Sequence, residues 1–236
     1  MSTPLRAPLF SIIMPHYHAA IPYDRFVRAV SCIVAQSHPG WELLIYHDGP
    51  VEDTSTQAFV DSLTDPRIHF QATRHRHGDW GHSLRDLGIK TARGHYILNT
   101  NSDNVLYPHC LAILAAYSLW PKHTLKIQGK DDEVTDFVIN PDLLVYGAKM
   151  MGCLNTANLP GFSRVRGQEE HLQLILPGWP PNKHKIDAMQ LVAKRELWLS
   201  IGGWGDKSEE SDGEMIQYLT GRHGYLVIPE VLGEHW

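Results

Sequence analysis

Residues 101–104, Asn-Ser-Asp-Asn, follow an apolar run ending at Leu98 and precede another that stops at Pro108. Four short polar residues there make an ordinary turn. They also make a place where a single carboxylate, Asp103, could hold a hard divalent cation whose other ligands are phosphate oxygens. Two more clusters have the same setting. Pro15-His16-Tyr17-His18 closes the apolar run 9–14, and His47-Asp48-Gly49 closes the run 42–46. Ligands of an open parallel sheet bind outside the carboxyl ends of its strands, so three polar clusters at three such ends point to a nucleotide-type ligand. A fourth cluster, Asp206 to Glu214, packs five acids into nine residues just ahead of a helical pattern. Ser211 or Asp212 would cap that helix, with Glu214 in its first turn.

The elements that position these clusters follow from periodicity. Strands are expected at 9–14, 42–46, 68–72 and 96–98, alternating with helices over 23–37, after Asp53-Thr54-Ser55, and over 81–92. In the first helix Phe26, Val27, Val30, Ile33 and Val34 fall at helical spacing, and His38-Pro39-Gly40 stops it. The alternation predicts an α/β fold, a mostly parallel central sheet flanked by helices. The second half reads differently: a helix over 108–119, strands at 124–128, 134–139 and 142–147, helices at 194–200 and 212–220, and a strand at 225–229. Residues 150–185, rich in Gly and Pro, are expected to be a long loop carrying Trp179. One domain spanning 1–236 is expected, with a ligand-binding half over 1–110 and a specialised half over 111–236.

With 236 residues, 43% hydrophobic and 20% charged, the chain is long enough for a proper core and has an ordinary soluble composition. A net charge of −5 without a long basic run argues against nucleic acid as partner. No apolar segment approaches the roughly 18–20 residues of an integral membrane span, and residues 1–18 do not form a signal peptide. Cys32, Cys110 and Cys153 are odd in number and scattered, as free thiols in a reducing compartment are. A cytoplasmic protein is expected.

The stretches FSIIMPHYHAAIPYDRFVRAVSCIVAQSHPGWELLIYHDG, GHSLRDLGIKTARGHYILNTNSDNVLYP and LVAKRELWLSIGGWGDKSEESDGEMIQYLTGRHGY resemble the GT-A (Rossmann-like) glycosyltransferases, family 2 in particular. They cover most of the chain outside 120–185. The resemblance implies inverting transfer of a sugar from a nucleotide-sugar donor, a UDP-sugar by default, to a glycan, lipid-linked or protein acceptor. It implies that Pro15, Tyr17, Asp48, Arg85, Asn101, Ser102 and Asp103 bind the donor, with Tyr17 against the base or ribose and Asp48 accepting from a base N–H. Asp103 would hold Mn2+ or Mg2+, and His235 after the last strand is a second candidate ligand. Asp212 matches the general base; Ser211 stands where the family has glutamate, and Glu209 and Glu210 are the candidates for that role. Asn101 likewise replaces an aspartate, which weakens the case for a cation. Asp187 and Trp204 of GGWGD fall on the acceptor side, Trp204 as a ring for a sugar. Two alternatives stand beside this reading: a non-catalytic sugar-nucleotide or glycan-binding relative, and a zinc hydrolase built on His75, His77, Asp79 and His82.

Overall fold

The computed structural model describes residues 8–52, 54–129, 134–151, 173–181, 186–205, 208 and 211–236. Asp53, Cys153, Glu209, Glu210 and most of the expected 150–185 loop lie outside these.

Strand β1 (Phe10–His16) and strand β2 (Trp41–His47) are buried at every position. Their near-continuous apolar sequences are what a parallel strand covered on both faces requires. They pair in parallel, β3 (Ile68–Ala72) adds to the far side of β2, and β4 (Tyr96–Asn99) adds to β1. Helices α1 (Tyr23–Val34), α2 (Thr54–Ser62) and α3 (His82–Thr91) connect them. Successive strand residues face opposite sides. Ile12 and Met14 therefore pack with Phe26, Val30 and Ile33 of α1, while Ile13 packs with Leu84 and Ile89 of α3. Each large apolar side chain so buried contributes about 1.5–3 kcal/mol.

Beyond β4 the sheet becomes mixed. The next neighbours are β10 (Leu191–Lys194), β8 (Leu143–Met151) and β11 (Leu226–His235), with β5 (Val105–Leu106) at the edge and β9 (Gln173–Leu176) on β8. Strand β10 runs antiparallel to both β4 and β8, while β11 is parallel to β8. Helix α4 (Cys110–Tyr117) covers one face; α5 (Arg195–Ser200) and α6 (Ser211–His223) cover the other. Strands β6 (His123–Gln128) and β7 (Val134–Ile139) form a separate hairpin. One nine-stranded sheet thus carries both halves of the chain.

Three strands depart from the sequence expectation. Residues 173–176, expected in a loop, pair with β8; 191–194 is a strand ahead of α5; and Val105–Leu106 bridges to Glu234 and Gly233. Each is two to four residues long, too short for its period to register.

Candidate active site

A cavity of about 590 Å³ opens at the carboxyl ends of β1, β2 and β4. All three polar clusters reach it: Pro15 and Tyr17 from the first, Asp48 from the second, Asn101, Ser102 and Asp103 from the third. Arg85 of α3 and Asp212 of α6 line it too. Gly81 makes this approach possible. Its φ is +83°, and a Cβ there would stand 2.5 Å from that of Pro15, so only glycine lets α3 start so close to β1.

Arg85 is only 2% exposed, not the surface arginine its helical position would allow. Its Nη1 donates to the Trp80 carbonyl at 2.9 Å and its Nη2 to Asn101 Oδ1 at 2.7 Å. Asn101 therefore presents its amide oxygen to a cation, which leaves its NH2 group to be used elsewhere. Asp48 accepts from the backbone N–H groups of His77 at 2.7 Å and Gly78 at 3.0 Å, one on each oxygen. Its carboxylate anchors the loop after β3, and each oxygen keeps a lone pair for a ligand.

Tyr17 is hemmed in. The Arg76 guanidinium carbon lies 4.0 Å from its ring centre, and the rings of His18 and His47 stand at 5.4 and 6.0 Å. Nearby, His47 Nδ1 donates to the Gly49 carbonyl at 2.8 Å, so its Nε2 accepts from His18 Nδ1, also at 2.8 Å. His16 stacks on Phe26 and pairs with Ser102 Oγ at 2.9 Å. Burial, then the nearby His47 and His18, lowers its pKa from 6.5 to about 3, so the ring is neutral.

On the opposite wall, Asp212 Oδ1 is buried without a hydrogen-bond partner, 3.7 Å from His82 Nδ1. Burial raises the Asp212 carboxyl above its usual pKa and Asp187 adds to this, against the pull of Arg85 and His235. Burial also raises Asp103, where His235 and Arg25 act in the opposite sense. Apart from its own backbone N–H, no described hydrogen bond reaches the Asp103 carboxylate. Each of these two under-satisfied carboxylates is raised further by the charge of Asp187, and Asp103 is a ligand of the type a hard cation takes.

Three expected residues do not line the cavity. Trp204 is 1% exposed, stacked between His82 at 5.7 Å and Trp198 at 5.3 Å, with its indole N–H on Ser211 Oγ at 2.7 Å. A ring covered on both faces has none left for a sugar, so it packs and braces the start of α6. Asp187 caps the short 3-10 turn Ala188–Gln190, accepting from the Met189 N–H, and its other oxygen faces His235 Nδ1 at 3.6 Å. His235 is the last residue of β11, held in register with Met150 of β8; its Nδ1 is buried without a hydrogen bond. Both residues act on the cavity through charge, reaching Asp103 and Asp212.

The histidine cluster comes apart. His75 and His77 are exposed, Asp79 accepts from the N–H and Oγ of Ser83, and His82 is buried against Trp204. Among the described residues no group of three or more His, Cys, Asp and Glu is placed to hold an ion by itself.

Sequence reasoning did not assign the lining residues Arg76, Trp80 and Trp236 to the site, and it named His82 only as a candidate zinc ligand. Trp80 is 63% exposed at the rim with φ +54°, an uncommon backbone for a non-glycine residue. Trp236 lies under the Arg28 guanidinium at 4.0 Å, and its backbone N–H donates to Asn104 Oδ1. The only signal for these was the density of aromatic and basic residues in RHRHGDWGH and in the terminal EHW.

The colanic acid biosynthesis glycosyl transferase WcaA of Escherichia coli is 28% identical over 47% of this chain and 38% of its own length. The teichuronic acid biosynthesis glycosyltransferase TuaG of Bacillus subtilis is 32% identical over 41% of this chain and 36% of its own. The chain spans under half the length of the curated relatives it matches. Among solved structures, S. aureus TarS 1–349 superposes with a TM-score of 0.66 at 13% identity, over 95% of this chain and 59% of that one. A mannosyltransferase from Pyrobaculum calidifontis, in complex with GDP-Man and Mn2+, gives 0.63 at 14% identity, over 98% and 58%. At such identities these two establish the fold. The model of glycosyl transferase family 2 matches residues 11–143, which hold all three strand-end clusters and Arg85. More than half of the chain thus carries the family's pattern, and the protein belongs to glycosyl transferase family 2.

Proposed function

We propose that the protein transfers a sugar from a nucleoside-diphosphate sugar to an acceptor hydroxyl with inversion at the anomeric carbon, and that Asp212 is the general base. The observation that carries this reading is the meeting of Asp103 and Asp212 in one cavity with Tyr17, Asp48 and Arg85. A single displacement needs a base on the acceptor side and charge neutralisation on the donor side. Asp212 supplies the first: its raised pKa strengthens it as a base, and its buried Oδ1 has a lone pair to spare. It takes the proton of the acceptor hydroxyl as that oxygen attacks the anomeric carbon and the nucleoside diphosphate leaves. Asn101, held by Arg85, turns its NH2 group to a ribose or phosphate oxygen. Ser102, fixed beside His16, and the Asp48 carboxylate orient the nucleoside.

Asp103, the carboxylate that lines the cavity, would hold a divalent cation, Mn2+ or Mg2+, with His235 standing behind the lining as a second candidate ligand. When bound, such an ion offsets charge on the leaving diphosphate. Trp80, exposed at the rim, takes over the role of sugar platform that Trp204 cannot fill.

The solved relatives include TarS in complex with UDP and with UDP-GlcNAc, which supports a UDP-sugar as donor. Relatives named for colanic acid, teichuronic acid and succinoglycan biosynthesis support a glycan as acceptor. No described helix is long and apolar enough to cross a membrane. The free Cys32 and Cys110 support a reducing, cytoplasmic setting.

A thermal-shift panel of UDP-, GDP-, ADP- and CDP-sugars with Mn2+, Mg2+ or EDTA tests the reading. Binding to the native state raises the midpoint by mass action. A rise that needs the cation and vanishes in Asp103→Ala is expected; no rise with any nucleotide sugar overturns the proposal.

A further inference from the structure

The β6–β7 hairpin and the far end of α6 enclose a second cavity, of about 500 Å³, that shares no lining residue with the first. Strand β11 is parallel to β8, two antiparallel steps bring β8 into line with β4, and β4 is parallel to β1. The cavity adjoins the start of β11, so it lies on the amino edge of the sheet, opposite the first. Its walls are fixed to one another. The Tyr225 N–H donates to the Val138 carbonyl at 3.0 Å, and Asn140 Nδ2 donates to the His223 carbonyl at 2.7 Å. Gly224 has φ +66°, and a Cβ there would stand 2.5 Å from that of Val138, so only glycine lets this turn press on the hairpin.

Cations and aromatic rings meet in this place. Lys122 and Arg222 line the cavity, both are exposed, and among the described residues neither has an ion pair. The Arg222 guanidinium carbon lies 4.4 Å from the Tyr218 ring centre, which steadies it. Asp136 is the one carboxylate among the lining residues, and it stands opposite Lys126 in the strand register. Phe137 meets Tyr225 edge-on at 5.4 Å, both half-buried, and the side chain of Trp179, 54% exposed, hydrogen-bonds to Tyr225. Unpaired positive charge gathered here runs against the chain's net charge of −5.

We propose that this cavity is a second binding site, for a sugar unit of a glycan that carries a carboxylate or a phosphate. Lys122 and Arg222 take the anionic group, Arg222 through paired N–H bonds. The rings of Phe137 and Tyr225 take the apolar face of the sugar, and Asp136 accepts from its hydroxyls. A cleft of this size with aromatic walls and a few polar groups suits a small ligand. Binding here needs no donor; only its use rests on the sugar-transfer reading above. A charged glycan held at the amino edge stays tethered to the chain, which raises its effective concentration at Asp212.

Titration calorimetry on the full chain, at low salt with UDP and Mn2+ filling the first cavity, tests the site. The probes are a disaccharide ending in glucuronate, a disaccharide phosphate, the neutral disaccharide and inorganic phosphate. One anionic disaccharide should bind about tenfold or more tighter than the neutral one and than inorganic phosphate, and its identity tells carboxylate from phosphate. Lys122→Gln and Arg222→Gln should each weaken it about fivefold, and the double variant should abolish it, with UDP affinity and the melting midpoint unchanged. Equal binding of the neutral disaccharide would overturn the role of the cations. Inorganic phosphate binding as tightly as the anionic disaccharides would overturn the role of the rings. No binding of either anionic disaccharide, or binding that survives the double variant, would overturn the site itself. Failure of UDP to bind would instead remove the sugar-transfer reading, and the two variants would still locate this site.

Discussion

The two ends of the central sheet treat buried carboxylates in opposite ways. At the amino end of β2, Glu42 is 2% exposed and accepts from Ser11 Oγ at 2.6 Å, the Arg93 N–H at 2.7 Å and Arg93 Nε at 2.7 Å. Burial pushes its carboxyl up, but these bonds outweigh it and hold the pKa below the usual value. At the carboxyl end, Asp103 and Asp212 have few partners to set against burial, and both pKa values rise. What separates the two ends is the supply of donors. A carboxylate whose bonds are complete ties strands together, whereas one left incomplete keeps its lone pairs for a cation or a proton.

The largest effect should come from exchanging these roles by mutation. Asp212→Asn removes the base and keeps the shape. Turnover should fall by about 10³-fold or more, while UDP binding by calorimetry and the melting midpoint stay level or the midpoint rises. Glu42→Ala should do the reverse. It strands Ser11, the Arg93 N–H and the guanidinium, costing about 2–4 kcal/mol in urea unfolding, with nucleotide affinity unchanged below the transition. A loss of affinity in Glu42→Ala equal to its loss of stability would break the division between the ends.

Acidity sharpens the comparison further. Glu42 has a depressed folded pKa, so its stabilisation is present above the unfolded value of 4.5 and is lost as pH falls through the folded one. Asp103 and Asp212 have raised pKa values, so they bind protons more readily in the folded state. Their effect is a loss of stability as pH climbs from 3.8 through those raised values, and a loss of base activity as pH falls through the Asp212 value. His16 adds a separate window. Its pKa drops from 6.5 to about 3, so the unfolded chain takes the proton first and stability declines between those pH values, by up to about 4–5 kcal/mol at the acid end. In His16→Asn the decline across that window should flatten, as read by urea midpoints from pH 7 to pH 4.

How much of this was legible in the sequence follows the same division. Strands β1, β2 and β4 were readable because both faces are buried, so the apolar runs end in turn residues, and β3 because its half-buried and exposed residues alternate. The three polar clusters were readable because they end those runs. Strand β10 was not: Leu191–Lys194 is four residues, and its antiparallel place between β4 and β8 is set by partners distant in sequence. Trp204 misled for the same reason. Flanking glycines suggest an exposed loop, but only the folded chain shows His82 and Trp198 closing on its two faces. Arg76 was unreadable as a partner of Tyr17, since 59 positions separate them and the contact depends on Asp48 gripping the loop.

Trp80 offers the smallest and most discriminating test, because strain and function pull it in opposite directions. Its φ of +54° is costly for a bulky residue, on the order of 1 kcal/mol or more, and its ring is largely exposed, so little packing compensates. Its carbonyl still accepts from Arg85 Nη1, a bond that any residue at this position would keep. Trp80→Gly should therefore raise the melting midpoint slightly by releasing the strain, partly offset by the greater freedom of glycine in the unfolded chain. If the ring stacks on a sugar, the same variant should raise the KM for the acceptor or the donor sugar about three- to tenfold, with UDP affinity unchanged. Gain of stability without any change in KM would leave the ring idle, and the strain at residue 80 would then serve only to aim its carbonyl at Arg85.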